Sequence, residues 1–219
     1  GTTDSVVCVD NNRLPSLMMA EARLMRSMFH FELCSYFGDV CIVDGVLTLD
    51  NLNRPRDKAS DVLKWVMDEC DAVKGDLPFN WASDGNWGRV NGATALALKS
   101  RAALYRASPL FNAANNSQWW RDAADAAQEF VDTNDRFTGT KYALSPQYDK
   151  MFYEPGYLSP EVIMSRCIWQ TFSIDQQCVP MGFAGCTGIG QAKQNLVDCY
   201  DNIDGTPVDP PPVKGRTEP

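Results

Sequence analysis

The sequence predicts a mostly α-helical protein of stacked helix pairs, with irregular loops and little β structure. Apolar residues recur at helical spacing in four separate segments between residues 15 and 132. Two of these segments are rich in alanine, which lets packed helices approach toward the short end of the usual range of about 8–10 Å. Beyond about residue 137 the helical period ends, and turn-forming residues dominate.

The first predicted helix covers residues 15–37, "PSLMMAEARLMRSMFHFELCSYF". Pro15 suits the first turn of a helix, and Gly38 ends it. Its apolar band is wide, so we expect a helix buried on most sides. The central stripe is Met18, Ala22, Met25, Phe29 and Leu33, broadened by Leu17, Leu24, Met28 and Phe31. An extended stretch, "DVCIVDGVLTLDN", follows.

The second predicted helix covers about 58–74, with Asp57 as its expected N-cap. Gly75 and Pro78 close it, and a loop rich in Asn, Asp, Gly and Trp fills 76–90. Its apolar residues recur at i, i+3, i+4 and i+7, which is typical of a helix packed on one side. They are Ala59, Val62, Leu63, Val66, Met67, Cys70 and Val73.

The third predicted helix, 91–107, carries little bulk and is stopped by Pro109. The fourth covers about 118–132, with Ser117 or Asn116 as its cap. Its expected inner face is Trp120, Ala123, Ala124, Ala127 and Val131.

The loop lengths make helices two, three and four antiparallel neighbours, and small residues at their closest contact are typical of tetratricopeptide-like helix pairs. Ala59 and Ala93 also lie 34 positions apart, the repeat length of that class.

The last third of the chain contains one strand candidate, Val162 to Trp169. Residues 178–192 are predicted to form a glycine-rich loop. The three prolines at 210–212 exclude regular structure there, so we expect a helical domain over 1–204 and an irregular tail over 205–219.

Composition excludes several classes of protein. The chain of 219 residues is 44% hydrophobic and 22% charged, which is typical of a globular protein. Its net charge of −8 argues against nucleic acid and anionic membranes as partners, because both need clustered Lys and Arg. No apolar run reaches the roughly 18 residues of a membrane span. The chain opens without a signal peptide, and we expect any export signal upstream of Gly1.

The eight cysteines are expected to be mostly free, structural thiols, because no CxxC occurs. Cys34 and Cys70 fall on apolar helix faces, and a Cys178–Cys186 pair is the leading exception. The single His30 removes any Cys/His zinc pattern and is predicted to be a core histidine.

Catalytic motifs are absent from the sequence, so we expect neither an enzyme nor a cofactor. The acidic residues on the helices alternate in direction and are interpreted as solvated faces. The stretch "DCYDNIDG" lacks the acidic residue that a calcium loop needs at Tyr200, and it is predicted to form a turn.

Aromatic and amide side chains in loops are the candidate binding residues. Sugars present flat C–H faces that pack on aromatic rings, while amide groups hold their hydroxyls. We predict ligand contact for Asn80, Trp81, Trp87, Tyr157 and Trp169. For each tryptophan of this set, plain packing stays open as the alternative. Trp65, Trp119 and Trp120 lie on predicted helices and are expected to be packing residues.

Five segments, in order, resemble the SusD/RagB family. The first two are "AEARLMRSMFHFELCSYFGDV" (20–40) and "WGRVNGATALALKSRAALYRASPLFN" (87–112). The next is "WWRDAADAAQEFVD" (119–132), similar to the family's W-x-x-A-A-x-A-A-x-x-V. The last two are "YDKMFYEPGYLSPEVIMS" (148–165) and "QAKQNLVDCYDNIDGTPV" (191–208). Together they span most of residues 20–208.

This resemblance implies a SusD-like α-α superhelix and a non-catalytic glycan-binding protein on the outer face of the outer membrane of Bacteroidota. Such proteins are lipid-anchored and work with a SusC-like TonB-dependent transporter in uptake of glycans, in some cases peptides. The anchor is expected upstream of residue 1. Family members are about twice as long, so the resemblance also implies a fragment. The alternative is a helical-repeat protein-interaction scaffold with no ligand site of its own here.

Overall fold

The computed structural model confirms the mostly α-helical prediction. It describes residues 14–81, 86, 88–148, 159–165, 200 and 202–206. Within these ranges there is no β-strand, only an isolated antiparallel bridge between Val40 and Asp57. The helices are α1 (Leu14–Phe37), α2 (Ala59–Val73), α3 (Gly92–Ala107) and α4 (Ser117–Arg136), with a 3-10 turn at Leu49–Asn51. None of them is long and apolar enough to cross a membrane.

The chain divides into two compact units, residues 1–166 and 167–219, and all four helices belong to the first. In the second unit, the described residues form the predicted turn, closed by the Gly205 N–H, which donates to the Asn202 carbonyl at 2.8 Å. Gly205 has φ +77°, a conformation that glycine adopts without strain. The predicted boundary at residue 204 stays a prediction.

Each helix of the first unit packs on the next one along the chain, and α1 also touches α3. The 34-residue interval from Ala59 to Ala93 therefore separates the starts of two successive helices and is not the length of a two-helix repeat. Phe31 of α1 meets the ring of Tyr105 of α3 edge-on, with centroids 5.1 Å apart.

The central stripe predicted for α1 was wrong, and the helix is not buried on most sides, but Leu17, Leu24 and Phe31 of the predicted wider band are buried. The buried apolar residues are Leu17, Ala20, Leu24, Phe31 and Cys34, whereas Met18, Met25, Phe29 and Leu33 are exposed. Both sides of this helix are apolar, so periodicity could not choose between them. The side that packs on α2 also carries Arg23 and Arg26, whose guanidinium groups bind the Glu69 carboxylate at 2.7 and 3.0 Å.

The apolar stripe of α2 is confirmed at every predicted position, from Ala59 to Val73. Its cap is not Asp57, because that carboxylate accepts from the Ile42 N–H at 2.8 Å. The Ala59 N–H at the start of α2 instead donates to Asp39, at 2.8 Å. Asp39, 20 positions before Ala59, thus takes the capping role that was predicted for Asp57.

Alanines form the buried part of α3 and α4, as predicted, but the face of α4 differs. In α3, Ala93, Ala95, Ala102, Ala103 and Ala107 are buried. In α4, the buried residues are Ala123 and Ala126, while Ala124, Ala127, Trp120 and Val131 are exposed. The segment is apolar at most of these positions, so its period did not fix the buried side. The predicted packing role of Trp120 was wrong, whereas Trp65 and Trp119 do pack on the core.

Charged side chains also connect the helices. Lys99 of α3 binds Asp71 of α2 at 2.7 Å and Glu129 of α4 at 2.6 Å, and Lys74 binds the same two carboxylates. Arg106 of α3 lies over the ring of Trp119 of α4, 4.1 Å from its centroid. These contacts fix α3 between its two neighbours.

His30 is buried, as predicted, and holds the loop that follows α1. Its Nδ1 lies 2.9 Å from the Arg26 carbonyl, and its Nε2 accepts from the Val43 N–H at 3.0 Å. Its ring packs against Trp65, with centroids 4.8 Å apart. Both nitrogens are thus used structurally, which leaves none to act as a base.

Several other predictions concern the loops and cysteines. Residues 162–165 are irregular, so the strand prediction was wrong there; residues 166–169 lie outside the described ranges. Cys34, Cys41 and Cys70 are free. Burial raises the pKa of Cys34 to about 11 and that of Cys70 to about 12, which makes both thiols unreactive. The Cys178–Cys186 pair and the glycine-rich loop fall outside the described residues.

Candidate functional site

The loop after α2 is held in place by the start of α3. The N–H groups of Gly92 and Ala93, in the first turn of α3, have no acceptor within the helix. They donate to the carbonyls of Pro78 and Phe79 at 2.9 and 3.2 Å. A Cβ on Gly92 would lie 3.1 Å from the Lys74 carbonyl oxygen and 3.3 Å from the Phe79 Cα. Only glycine allows this approach easily, and the approach sets the positions of Asn80 and Trp81.

Asn80 and Trp81 line an open cleft of about 340 Å³, counted with its solvent-filled mouth. The enclosed part of the cleft is only about 50 Å³, well below the roughly 300–1,000 Å³ of small-ligand sites, so the described residues form one part of such a site. The other lining residues are Gly88, Arg89, Asn91, Tyr142 and residues 162–165. The structure therefore brings two of the five predicted binding residues together. Trp87, Tyr157 and Trp169 lie outside the described residues.

The Trp81 indole is half-buried at one wall of the cleft. Its Nε1–H donates to the Val90 carbonyl at 3.2 Å, and the ring packs on the core. The Arg89 guanidinium lies over the ring, 4.9 Å from its centroid. One face of the indole is thus covered by a cation, so only part of the ring is open to a ligand.

The Arg89 guanidinium is itself held by a carboxylate of α1. Its Nε and Nη2 donate to the two oxygens of Glu21 at 2.9 and 2.8 Å, and its Nη1 donates to Asn86 at 3.0 Å. These bonds to Glu21 raise the pKa of Arg89 further above its usual value. The cleft therefore contains a guanidinium whose charge is already balanced.

Amide and hydroxyl groups also line the cleft. Asn91 caps α3, because its Oδ1 accepts from the Thr94 N–H at 2.8 Å. Its Nδ2 donates to the Tyr142 hydroxyl oxygen at 3.0 Å. Burial raises the pKa of Tyr142 and keeps its hydroxyl neutral. The Asn80 Nδ2 donates to the Thr140 carbonyl at 3.0 Å.

Sequence reasoning missed Arg89, Asn91 and Tyr142. Arg89 and Asn91 stand inside the segment 87–112 that carries the family resemblance, and an asparagine just before a helix is an N-cap signal that could have marked Asn91. Tyr142 had no local signal, since it reaches the cleft through the fold, 61 residues after Trp81.

The described part of the chain offers no cluster of metal ligands. No three His, Cys, Asp or Glu side chains there lie together in a way that could hold a metal ion. The cleft offers the uncovered part of one indole, amides, a neutral hydroxyl and a paired guanidinium. Such a set can hold a polar ligand mainly by hydrogen bonds.

The fold is that of SusD-like proteins. A SusD-like protein from Bacteroides fragilis superimposes on 90% of this chain with a TM-score of 0.70 at 21% identity. A surface glycan-binding protein from Bacteroides uniformis and a laminarin-binding SusD-like protein each match 69% of it, both at 22% identity, with TM-scores of 0.55 and 0.57. The resemblance seen in the sequence is thus confirmed at the level of the fold.

This chain spans 38% of the length of the first of these solved proteins and 31% of the other two. No protein-family model matches the sequence, and no curated protein matches it.

Proposed function

We propose that the chain belongs to a SusD-type protein, which binds a glycan at the cell surface without catalysis and assists a SusC-like TonB-dependent transporter in nutrient uptake. The observation that carries this proposal is the fold match over 90% of the chain. Two of the structural neighbours are named for binding glycan or laminarin. The five ordered sequence segments support the same family independently of the fold.

In this proposal the cleft beside Trp81 is the glycan site, or the described part of it. An indole, two amides and a neutral hydroxyl line the cleft, and they come from three segments: residues 80–81, Asn91 and Tyr142. Sugars are recognised by such combinations of stacking surface and hydrogen-bonding groups. Trp87, Tyr157 and Trp169 are proposed to extend the site. The protein is further proposed to be lipid-anchored on the extracellular face of the outer membrane.

Native gels that contain single polysaccharides test this function directly. We expect at least one polysaccharide to retard the protein. Trp81→Ala is expected to weaken that retardation by up to about tenfold, the value of one aromatic contact. Asn80→Ala is a second variant with less effect on packing, and Trp120→Ala on exposed α4 is the control. Circular dichroism confirms that each variant is folded. Retardation by no polysaccharide would contradict the glycan proposal.

A second candidate function is a protein-interaction scaffold with no ligand site of its own. The exposed apolar face of α1 favours it, because Met18, Met25, Phe29, Leu33 and Tyr36 follow one side of the helix. Phe29 and Tyr36 are 61% and 79% exposed. Contiguous apolar surface of this kind marks sites of protein contact.

Binding to a purified SusC-like transporter separates the two candidates. We expect Phe29→Ser to weaken co-elution with the transporter and leave polysaccharide retardation unchanged. Trp81→Ala is expected to weaken polysaccharide retardation and leave co-elution with the transporter unchanged. A protein that binds the transporter but is retarded by no polysaccharide would be a scaffold in the sense of the second candidate.

A further inference from the structure

We infer that the cleft selects neutral sugars over acidic ones, and that Glu21 sets this preference by neutralising Arg89. The inference rests on the proposed glycan-binding function and goes beyond it, because it assigns a ligand class and a specificity-determining residue. Glu21 lies on α1, outside the cleft lining, and acts through the guanidinium that it binds.

Arg89 is the only cation among the described residues that line the cleft. An unpaired arginine beside a sugar site would bind a uronate carboxylate in a bidentate, charge-assisted fork. The Nε and Nη2 of Arg89, which would make a side-on fork, already donate to the two oxygens of Glu21, and Nη1, which an end-on fork needs, donates to Asn86. The Glu21 side chain is only 16% exposed, so solvent competes poorly for it. An acidic sugar would have to displace this carboxylate.

Asn80 and Tyr142 keep polar groups that can contact a ligand. The Tyr142 oxygen accepts from Asn91, which leaves its own proton to be donated. One N–H of the Asn80 amide donates to Thr140, which leaves the amide oxygen to accept and the second N–H to donate. A sugar hydroxyl can accept from Tyr142 and donate to the Asn80 oxygen. A carboxylate is an acceptor only, so it cannot use the Asn80 oxygen.

The net charge of −8 acts in the same direction, because the protein as a whole repels polyanions. Paired charge, hydrogen-bonding pattern and overall field therefore all favour a neutral ligand. Of these three, only the pairing of Arg89 is controlled by a single residue that does not line the cleft. Glu21 is therefore the position at which the preference can be altered.

The test compares one polysaccharide in two charge states. We take a neutral polysaccharide that retards the wild-type protein in native gels, and its derivative oxidised at C6 to the uronate. Glu21→Gln keeps the size of the side chain and removes its charge. Glu32→Gln, an exposed position on the same helix, makes the same change in net charge away from the cleft and is the matched control.

We expect oxidation to weaken binding to the wild-type protein at least about tenfold, the cost of one unmet charge-assisted contact. Glu21→Gln should bind the oxidised form at least about threefold more tightly than wild type, while Glu32→Gln does not. The double variant Glu21→Gln/Arg89→Gln should lose this gain, because the freed guanidinium is then absent.

Equal binding of the two forms to the wild-type protein would overturn the inference and leave the proposed function intact. So would retardation by acidic polysaccharides alone. An unchanged preference in folded Glu21→Gln would remove the assigned role of Glu21. Retardation by no polysaccharide at all would overturn the proposed function itself, and the inference with it. If Glu21→Gln fails to fold, the wild-type comparison still decides the ligand class.

Discussion

Leucine at position 126 is expected to destabilise the protein, whereas leucine at position 127 is not. Ala126 is 2% exposed on the inner side of α4, and its neighbour Ala127 is exposed. Leucine adds three carbons, and at Ala126 they have no route to solvent. Overpacking of this kind costs about 1–3 kcal/mol. At Ala127 the added carbons extend into water, so the change should stay within about 0.5 kcal/mol.

The two variants are matched, because chemistry, helix and local propensity are the same. Urea unfolding followed by circular dichroism gives the free energy of unfolding for each. In thermal unfolding, a loss of about 2 kcal/mol in a chain of this size corresponds to a fall in Tm of about 4–8 °C. The helical period of the sequence places Ala127 inside, so it predicts the opposite order. A larger loss for Ala127→Leu than for Ala126→Leu would refute the packing described for α4.

Three further predictions concern stability. Leu24→Ala, at a fully buried position, is expected to cost about 3–5 kcal/mol in urea unfolding, whereas Met25→Ala on the exposed face should cost less than about 1 kcal/mol; equal losses would contradict the orientation of α1. Asp39→Ala should remove about 1 kcal/mol, because the first N–H of α2 loses its acceptor; an unchanged urea midpoint would argue against this cap. Hydrogen bonds from α1, above all that of Arg23, lower the pKa of Glu69. The contribution of Glu69 to the free energy of unfolding is therefore complete at a pH above its ordinary pKa of 4.5, and it is lost as the pH falls below that value. The difference in unfolding free energy between wild type and Glu69→Gln should therefore shrink as the pH falls from 6 to 3, and a constant difference would refute this.

The helices could be predicted from the sequence because each has a long apolar period and clear ends. The buried side of a helix could be predicted only where the opposite side is polar. In α2, every predicted position is buried, since the other side of that helix is charged. In α1, Met25 and Leu24 are equally apolar, and only contact with α2 decides which is inside. The α2 cap failed for a related reason, because Asp39 competes through space with the adjacent Asp57.

The candidate site, too, could be predicted only in part. Asn80 and Trp81 were predictable, since a tryptophan among turn residues has little local reason to be there. The covering of the Trp81 ring by Arg89 was not predictable, because it depends on Glu21 of α1, 68 positions before Arg89. Tyr142 reaches Asn91 only once α4 has returned the chain past α3. Contacts between distant segments carry no local sequence signal.

The contact between Gly92 and the loop before it bears on how rigid the cleft is before any ligand arrives. The amides of Gly92 and Ala93 bind the carbonyls of Pro78 and Phe79, so detaching this loop breaks both bonds and leaves two N–H groups without an acceptor. We expect these two amides to exchange their hydrogens more slowly than amides of the exposed stretch 46–52. The wall that carries Trp81 then exists in its final shape beforehand, and a ligand binds there with little loss of conformational entropy in the protein.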